Sequence, residues 1–159
     1  MRGLLFAMLL VAAWDAAADC QVTTPALESM ETAELVLNGP GDRSTTLMVR
    51  VADDNRERAA GFQHICPRTV DSTAIYFVYE HARRASFHMH NVKAPLDIAF
   101  IDGAGNIVDI QRMEPYVLGA KQQPLYAPPG PVTAALETRA GYFDEQRITA
   151  GNWRLEKRE

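Results

Sequence analysis

His88 and His90, one residue apart, and Asp97, seven residues further on, are the side chains whose types and spacing could do chemistry. They lie in the stretch Phe87-His88-Met89-His90-Asn91-Val92-Lys93-Ala94-Pro95-Leu96-Asp97-Ile98-Ala99-Phe100-Ile101-Asp102. Read as a strand, 86–91 puts Ser86, His88 and His90 on one face and Phe87, Met89 and Asn91 on the other, with the two histidines about 7 Å apart. A His-x-His pair on a strand can give two ligands to one metal ion. A third from Asp97, Glu114 or His64 would complete an open catalytic zinc site. A solvated or hydrogen-bonded histidine face is the plainer alternative, and no cofactor is expected.

Asp97 interrupts an apolar run, Leu96, Ile98, Ala99, Phe100 and Ile101. A carboxylate there needs backbone N–H groups or a cation, or else a raised pKa. The alternative is a turn-capping Asp after Pro95. Asp102 before Gly103 is the first residue of a turn. Glu137, in Ala135-Leu136-Glu137, takes a strand position facing away from Leu136, and Glu114 precedes Pro115. Two carboxylates converging on a cleft, Asp97 with Glu114 foremost, would permit acid/base hydrolysis of a glycosidic or similar bond. Arg58 and Arg68 could instead pair with such carboxylates in structural salt bridges. Neither a Gly-x-Ser-x-Gly elbow nor a phosphate-cradling glycine loop is present.

These residues must be positioned by strands. Candidate strands run over 33–38, 45–51, 73–79, 86–91, 96–101, 107–114, 132–138 and 153–155, with the second alternating Leu47, Val49 and Val51 against Met48 and Arg50. Gly39-Pro40-Gly41-Asp42 and Gly103-Ala104-Gly105-Asn106 are hairpin turns. Asp54 followed by Glu57 resembles a capping box for a short helix over 53–62, and 141–147 gives a second. Residues 116–131 form one long irregular segment, stiffened by Pro124, Pro128, Pro129 and Pro131. The expected fold class is α+β: a compact, mainly antiparallel sheet with two short helices.

With 159 residues, 47% hydrophobic and 23% charged, the chain is of single-domain length and ordinary globular composition. A net charge of −4 and the lack of a Lys/Arg run give no nucleic-acid footprint. Met1-Arg2, the apolar run 3–14 and the small residues of Asp15-Ala16-Ala17-Ala18 read as a signal peptide cleaved after Ala18. The organisation is then 1–18 signal peptide, 19–44 N-terminal extension and first strand, and 45–155 a single globular domain. The expected location is periplasmic or secreted, with no membrane span in the mature chain. Export makes a Cys20–Cys66 disulfide the favoured state of the two cysteines, against free thiols with Cys66 as a nucleophile.

Several ordered motifs make the chain resemble the uncharacterised domain of unknown function 192 family from about residue 45 to 155. They are Glu57-Arg58-Ala59-Ala60-Gly61-Phe62, Ile75-Tyr76-Phe77-Val78, Phe87-His88-Met89-His90-Asn91 and 95–102. Gly105, Ile107, Met113-Glu114-Pro115, Tyr126, Ala135-Leu136-Glu137 and Gly141 complete the set. The resemblance implies a small, often exported, β-rich domain and carries no agreed activity. The family's usual residues are Trp at His88 and Lys at His90, so a His-x-His metal site is not a family property. Asn91, Pro95, Asp97 and Asp102 do match.

The leading expectation is an exported monomer that binds a small polar ligand or a cell-envelope component such as a glycan through His88, His90, Asn91, Asp97 and Tyr126. The alternatives are a hydrolase, using either a metal on His88 and His90 or Asp97 with Glu114, and a structural or protein-interaction domain.

Overall fold

The computed structural model describes residues 19–156. The signal-peptide reading falls on residues 1–18, outside the described residues. β1 (Glu31–Asn38) alternates so that Leu35 and Leu37 are buried, and Gly39 N donates to Arg43 O to close the turn into β2 (Ser44–Ala52). After α1 (Pro25–Ser29), β1 and β2 come α2 (Asn55–Ala60), α3 (Pro67–Asp71) and β3 (Ile75–Arg83). Then follow β4 (Leu96–Ile101), β5 (Ile107–Met113), β6 (Val132–Arg139), α4 (Tyr142–Gln146) and β7 (Arg154–Glu156).

The strands make one sheet in the order β5-β4-β6-β3-β2-β1-β7. The fold is α+β and dominated by this sheet, with two corrections to the sequence expectation. The sheet is mixed: β2 and β3 are parallel, because residues between them form the α2–α3 crossover that a parallel pair requires. There are also four short helices rather than two. α1 and α3 both open on a proline, Pro25 and Pro67, whose fixed φ and missing N–H suit the first turn of a helix. From sequence, 19–31 reads as an extended tail and 64–68 as a loop that Pro67 ends, so neither helix is expected. α2 was foreseen, and the N-cap half of its capping box is present: Asp54 Oδ1 accepts from Glu57 N at 2.8 Å, while Glu57 Oε2 accepts from Asp53 N, one residue before the cap, at 3.4 Å.

The stretch 86–91 is not a strand. Its side chains alternate as expected, with Phe87 and Met89 buried and Ser86, His88 and His90 exposed, but the backbone makes only an isolated bridge from Phe87 to Tyr126. Asn91, at φ 57, turns the chain out of extension. The long segment after β5 is irregular as expected, and that same Tyr126 bridge holds it down: Phe87 N donates to Tyr126 O at 2.8 Å, and Tyr126 N to Phe87 O at 2.9 Å.

The sheet curls until its two edges meet. Arg154 of β7 bridges Asn106 ahead of β5, with Leu155 N donating to Gly105 O at 2.7 Å and Ile107 N to Trp153 O at 2.9 Å. Side chains from both edges, Ile107 and Leu155, join Leu37, Val49, Ile101, Leu136, Phe143 and Trp153 in one cluster on the concave face. The other face carries Ile75, Phe77, Leu96, Ile98, Phe100 and Ala135, covered by Leu27 of α1, Phe62 just after α2, Val70 of α3, and Phe87 and Met89 of the segment between β3 and β4. Cys20 and Cys66 form a disulfide that ties the N-terminal segment to the start of α3, beside a parallel bridge between Gln21 and Ile65. No helix of the described residues is long and apolar enough to cross a membrane.

Candidate functional site

β6 brings the one carboxyl that the helix-covered face has to accommodate. Ala134 and Leu136 belong to the concave cluster and Ala135 to the covered one. Alternation therefore puts Glu137 beside Ala135 on the covered side. Its sheet neighbours are Ile75 on β3 and Ile98 on β4, neither able to accept or donate through its side chain. Glu137 is only 5% exposed, and among the described residues its carboxyl has no hydrogen bond or ion pair. Burial pushes its pKa up to about 8, so the carboxyl is mostly neutral at pH 7.

Above this carboxyl lies a cleft of about 470 Å³. α2 and the turn after it form one wall with Arg58, Gly61, Phe62 and Gln63. The end of β3 and the segment beyond it form the other with Phe77, Tyr79, Arg83, Arg84, Phe87 and His88. Two backbone features open it. The register of β3 against β6 shifts between Val78 and Arg83, so the strand leaves the regular ladder where Tyr79 stands. Gly61 adopts φ 47, ψ −133, a conformation that side chains oppose, and a Cβ there would lie 3.9 Å from Glu137 Oε2.

The mouth of the cleft is cationic. Arg58 is fixed, its Nη1 donating to Val78 O at 2.9 Å and its Nη2 to Asn55 Oδ1 at 2.9 Å. Arg83 and Arg84 are exposed and have no hydrogen bond or ion pair among the described residues. The guanidinium carbons of Arg58 and Arg83 lie 5.7 and 5.2 Å from the Tyr79 ring centroid. Burial raises the Tyr79 pKa, with Arg83 and Arg58 opposing that shift and Glu137 adding to it. Tyr79 lines the same cleft as the buried carboxyl and the three arginines. A neutral carboxyl below and free guanidinium groups above can donate to, and accept from, a polar molecule.

The residues singled out from the sequence are distributed differently. His88 is on the rim, its ring centroid 6.2 Å from that of His90, and its Nδ1 accepts from His90 N at 3.3 Å; His90 does not line the cleft. Among the described residues no three His, Cys, Asp or Glu side chains are grouped so as to hold a metal ion. His64 serves the backbone, its N–H donating to Asn91 O and its carbonyl accepting from Gln21 N. Asn91 Nδ2 donates to Gln63 Oε1 at 3.3 Å, behind the cleft wall.

Asp97 lies on the opposite side of the sheet from Glu137. Leu96 and Ile98 face the covered cluster and Ala99 the concave one, so Asp97 shares the side of Ala99. It is buried and held by Arg112, whose Nη2 donates to Oδ2 at 3.3 Å, and by Gly141 N, which donates to Oδ2 at 2.7 Å. Of the alternatives read from sequence, satisfaction by a cation and a backbone N–H is the one present. Glu114 is exposed, and its backbone N–H donates to the Tyr126 hydroxyl at 3.1 Å. What Asp97 and Glu114 share is the Arg112 guanidinium, whose pKa the Asp97 hydrogen bond raises and Glu114 raises further. Arg58 and Arg68 form no salt bridge among the described residues. Asp102 is the turn residue expected: burial opposes its ionisation, but hydrogen bonds from Asn106 and Ala104 outweigh this and hold its pKa below the ordinary value. Cys66 is in the disulfide, so it offers no thiolate.

Of the cleft, sequence reasoning noted His88, Glu137 and Arg58, the last only as a salt-bridge partner for such carboxylates, and it assigned no site role to Tyr79, Arg83 or Arg84. The signal available was a Glu in an apolar strand with no partner in sequence. Several residues that carry the family resemblance, 58–62, Phe77, Phe87 and Glu137, meet at this one cleft.

A curled α+β sheet with these motifs in this order defines a small β-rich domain class. Residues 36–153 match the DUF192 family, described as "Uncharacterized ACR", and the chain belongs to that family. No curated protein matches it. It is similar in structure to a protein from Sinorhizobium meliloti 1021 described as a proposed transcription regulator. That similarity has a TM-score of 0.68 and 26% identity, covering 80% of this chain and 95% of the other. A protein of unknown function from Novosphingobium aromaticivorans DSM 12444 gives a TM-score of 0.65 and 21% identity, over 85% and 99% of the two chains.

Proposed function

We propose that this chain is an exported domain that binds a small polar ligand, of the kind found in the cell envelope, in the cleft over Glu137. The observation that carries the reading is the Glu137 carboxyl, nine-tenths buried and without a protein partner at the floor of a cleft. Its oxygens open onto the cleft, so a molecule seated there can complete the hydrogen bonds that the protein leaves unmade. A volume of about 470 Å³ falls in the range of small-ligand sites. The signal-peptide pattern and the disulfide support an oxidising, extracytoplasmic location. The regulator description of the Sinorhizobium relative is not carried over, since a net charge of −4 without a basic run offers nucleic acid no footprint.

The test is an NMR titration of the protein with cell-wall fragments, mono- and disaccharides and small polar metabolites. The expected result is shifts confined to the amides of Gly61, Phe62, Ala85 and Glu137, reduced at least tenfold in apparent affinity by Gly61→Val, which crowds the cleft. An absence of shifts in this set at millimolar ligand defeats the reading.

A second reading, hydrolysis, is favoured by the same carboxyl, because an acid kept protonated at neutral pH suits general-acid work. It replaces Asp97 and Glu114 by Glu137. Hydrolysis of nitrophenyl glycosides, lost in Glu137→Gln and falling above pH 8 in the parent, would support it. Rates equal to buffer would remove it.

A further inference from the structure

We propose that the ligand of this cleft is a small hydroxylated organic acid, of uronate size, held end-on with its anion on Arg83 and Arg84 and a hydroxyl or carbonyl on the Glu137 carboxyl. The inference rests on the cleft being a ligand site and adds the chemistry of what fills it. Three observations carry it.

The first is the division of charge. The protein is acidic overall, yet this mouth gathers Arg58, Arg83 and Arg84; Arg83 packs over the Tyr79 ring, and neither Arg83 nor Arg84 has a side-chain hydrogen bond or ion pair among the described residues. Arg58 is tied to the carbonyls of Asp53 and Val78 and to Asn55 Oδ1, so Arg83 and Arg84 are the guanidinium groups with the most donors open to an anion.

The second is the separation of rim and floor. Glu137 is buried and Arg83 and Arg84 are exposed, yet all three line the same cleft. The anion site and the carboxyl therefore lie at different depths of it. One ligand must present different groups at its two ends.

The third is the nature of the floor. From β3 and the segment beyond it, the charged and titratable groups facing the cleft are Tyr79, Arg83, Arg84 and His88. From α2 there is only Arg58, and β4 presents the apolar Leu96, Ile98 and Phe100. No cation reaches the floor to stabilise a carboxylate. A protonated Glu137 both donates and accepts, which matches a hydroxyl and rejects a second anion.

The experiment titrates purified full chain with glucuronate and galacturonate, and with glucose and galactose as matched neutral sugars, following the cleft amides by NMR. The uronates should bind at least tenfold more tightly than the hexoses, and Arg83→Ala/Arg84→Ala should erase that preference. Raising the pH from 7 to 9.5 should weaken uronate binding by more than tenfold as Glu137 ionises. Glu137→Gln should flatten the pH response, while a His88→Ala background should keep it. Hexoses binding in the cleft as well as uronates would overturn the acid assignment and leave the ligand site standing. Silence of the cleft amides to every sugar and acid would overturn both.

Discussion

Burial alone pushes the Glu137 carboxyl up to about 8. Between the ordinary glutamate range and pH 8, the unfolded chain has therefore released a proton that the folded chain still holds. The sign follows. Below that window the group is neutral in both states and contributes nothing; through the window stability falls as pH rises; above pH 8 the loss levels off. Across the whole window the loss is on the order of 5 kcal/mol. Glu137→Gln, nearly isosteric and without a titration, should match the parent in urea unfolding near pH 4.5 and exceed it by a few kcal/mol at pH 8. Parallel pH profiles for the two proteins would mean that the folded carboxyl is not raised. Asp102 works in the opposite sense: hydrogen bonds hold its folded pKa down, so its contribution is present at neutral pH and fades on acidification.

At the scale of elements, the N-terminal segment 19–24 is attached by few contacts: the Gln21–Ile65 bridge, a hydrogen bond from Thr69 Oγ1 to Val22 O, the Lys93–Asp19 pair and the disulfide. Cys20 and Cys66 are 46 residues apart, so the bond removes about 4 kcal/mol of unfolded-chain entropy in the simplest model. A Cys20→Ser/Cys66→Ser protein should lose stability up to that amount, and the amide of Gln21 should lose most of its hydrogen-exchange protection. Unchanged protection at Gln21 would show that the bridge holds without the disulfide. This pairing could be argued from the sequence because a chain read as exported, with two cysteines, offers one partner for each. Other elements were legible for equally local reasons. The apolar run of β4 and the Asp54–Glu57 cap each carry their own signal. The parallel β2–β3 pairing does not, since it depends on how α2 and α3 pack across the sheet. The same holds for the cleft: Tyr79, Arg83 and Arg84 acquire meaning only from the register shift in β3 and from α2 lying opposite. Glu137 could be read as a strand carboxyl, but its isolation is a property of three elements together. His88 and His90 stood out because motif spacing is visible in one dimension, whereas convergence is not.

At the scale of the whole molecule, one sheet supports two separate interiors, and the cleft belongs to only one of them. The concave interior is closed where β7 meets the turn before β5, and that closure rests on Gly105. Its φ is 88°, and a Cβ added there would stand 2.8 Å from Leu155 O, a backbone atom that cannot swing aside. Gly105→Ala must therefore either adopt a disfavoured backbone conformation or break the Leu155–Gly105 hydrogen bond, a cost of about 2–3 kcal/mol. The damage should stay local to the closure: hydrogen exchange should quicken at Leu155 and Ile107, and the urea midpoint should fall. The cleft lies on the other face, walled by α2 and the end of β3, with no residue of β7 or the Gly105 turn in its lining. Ligand-induced shifts at Gly61 and Glu137 should consequently persist in Gly105→Ala with affinity within about twofold of the parent, as expected for sites without shared partners. A large loss of affinity would instead mean that the two interiors act as one unit, with closure of the curl setting the shape of the cleft through β6, the strand whose alternate side chains serve both.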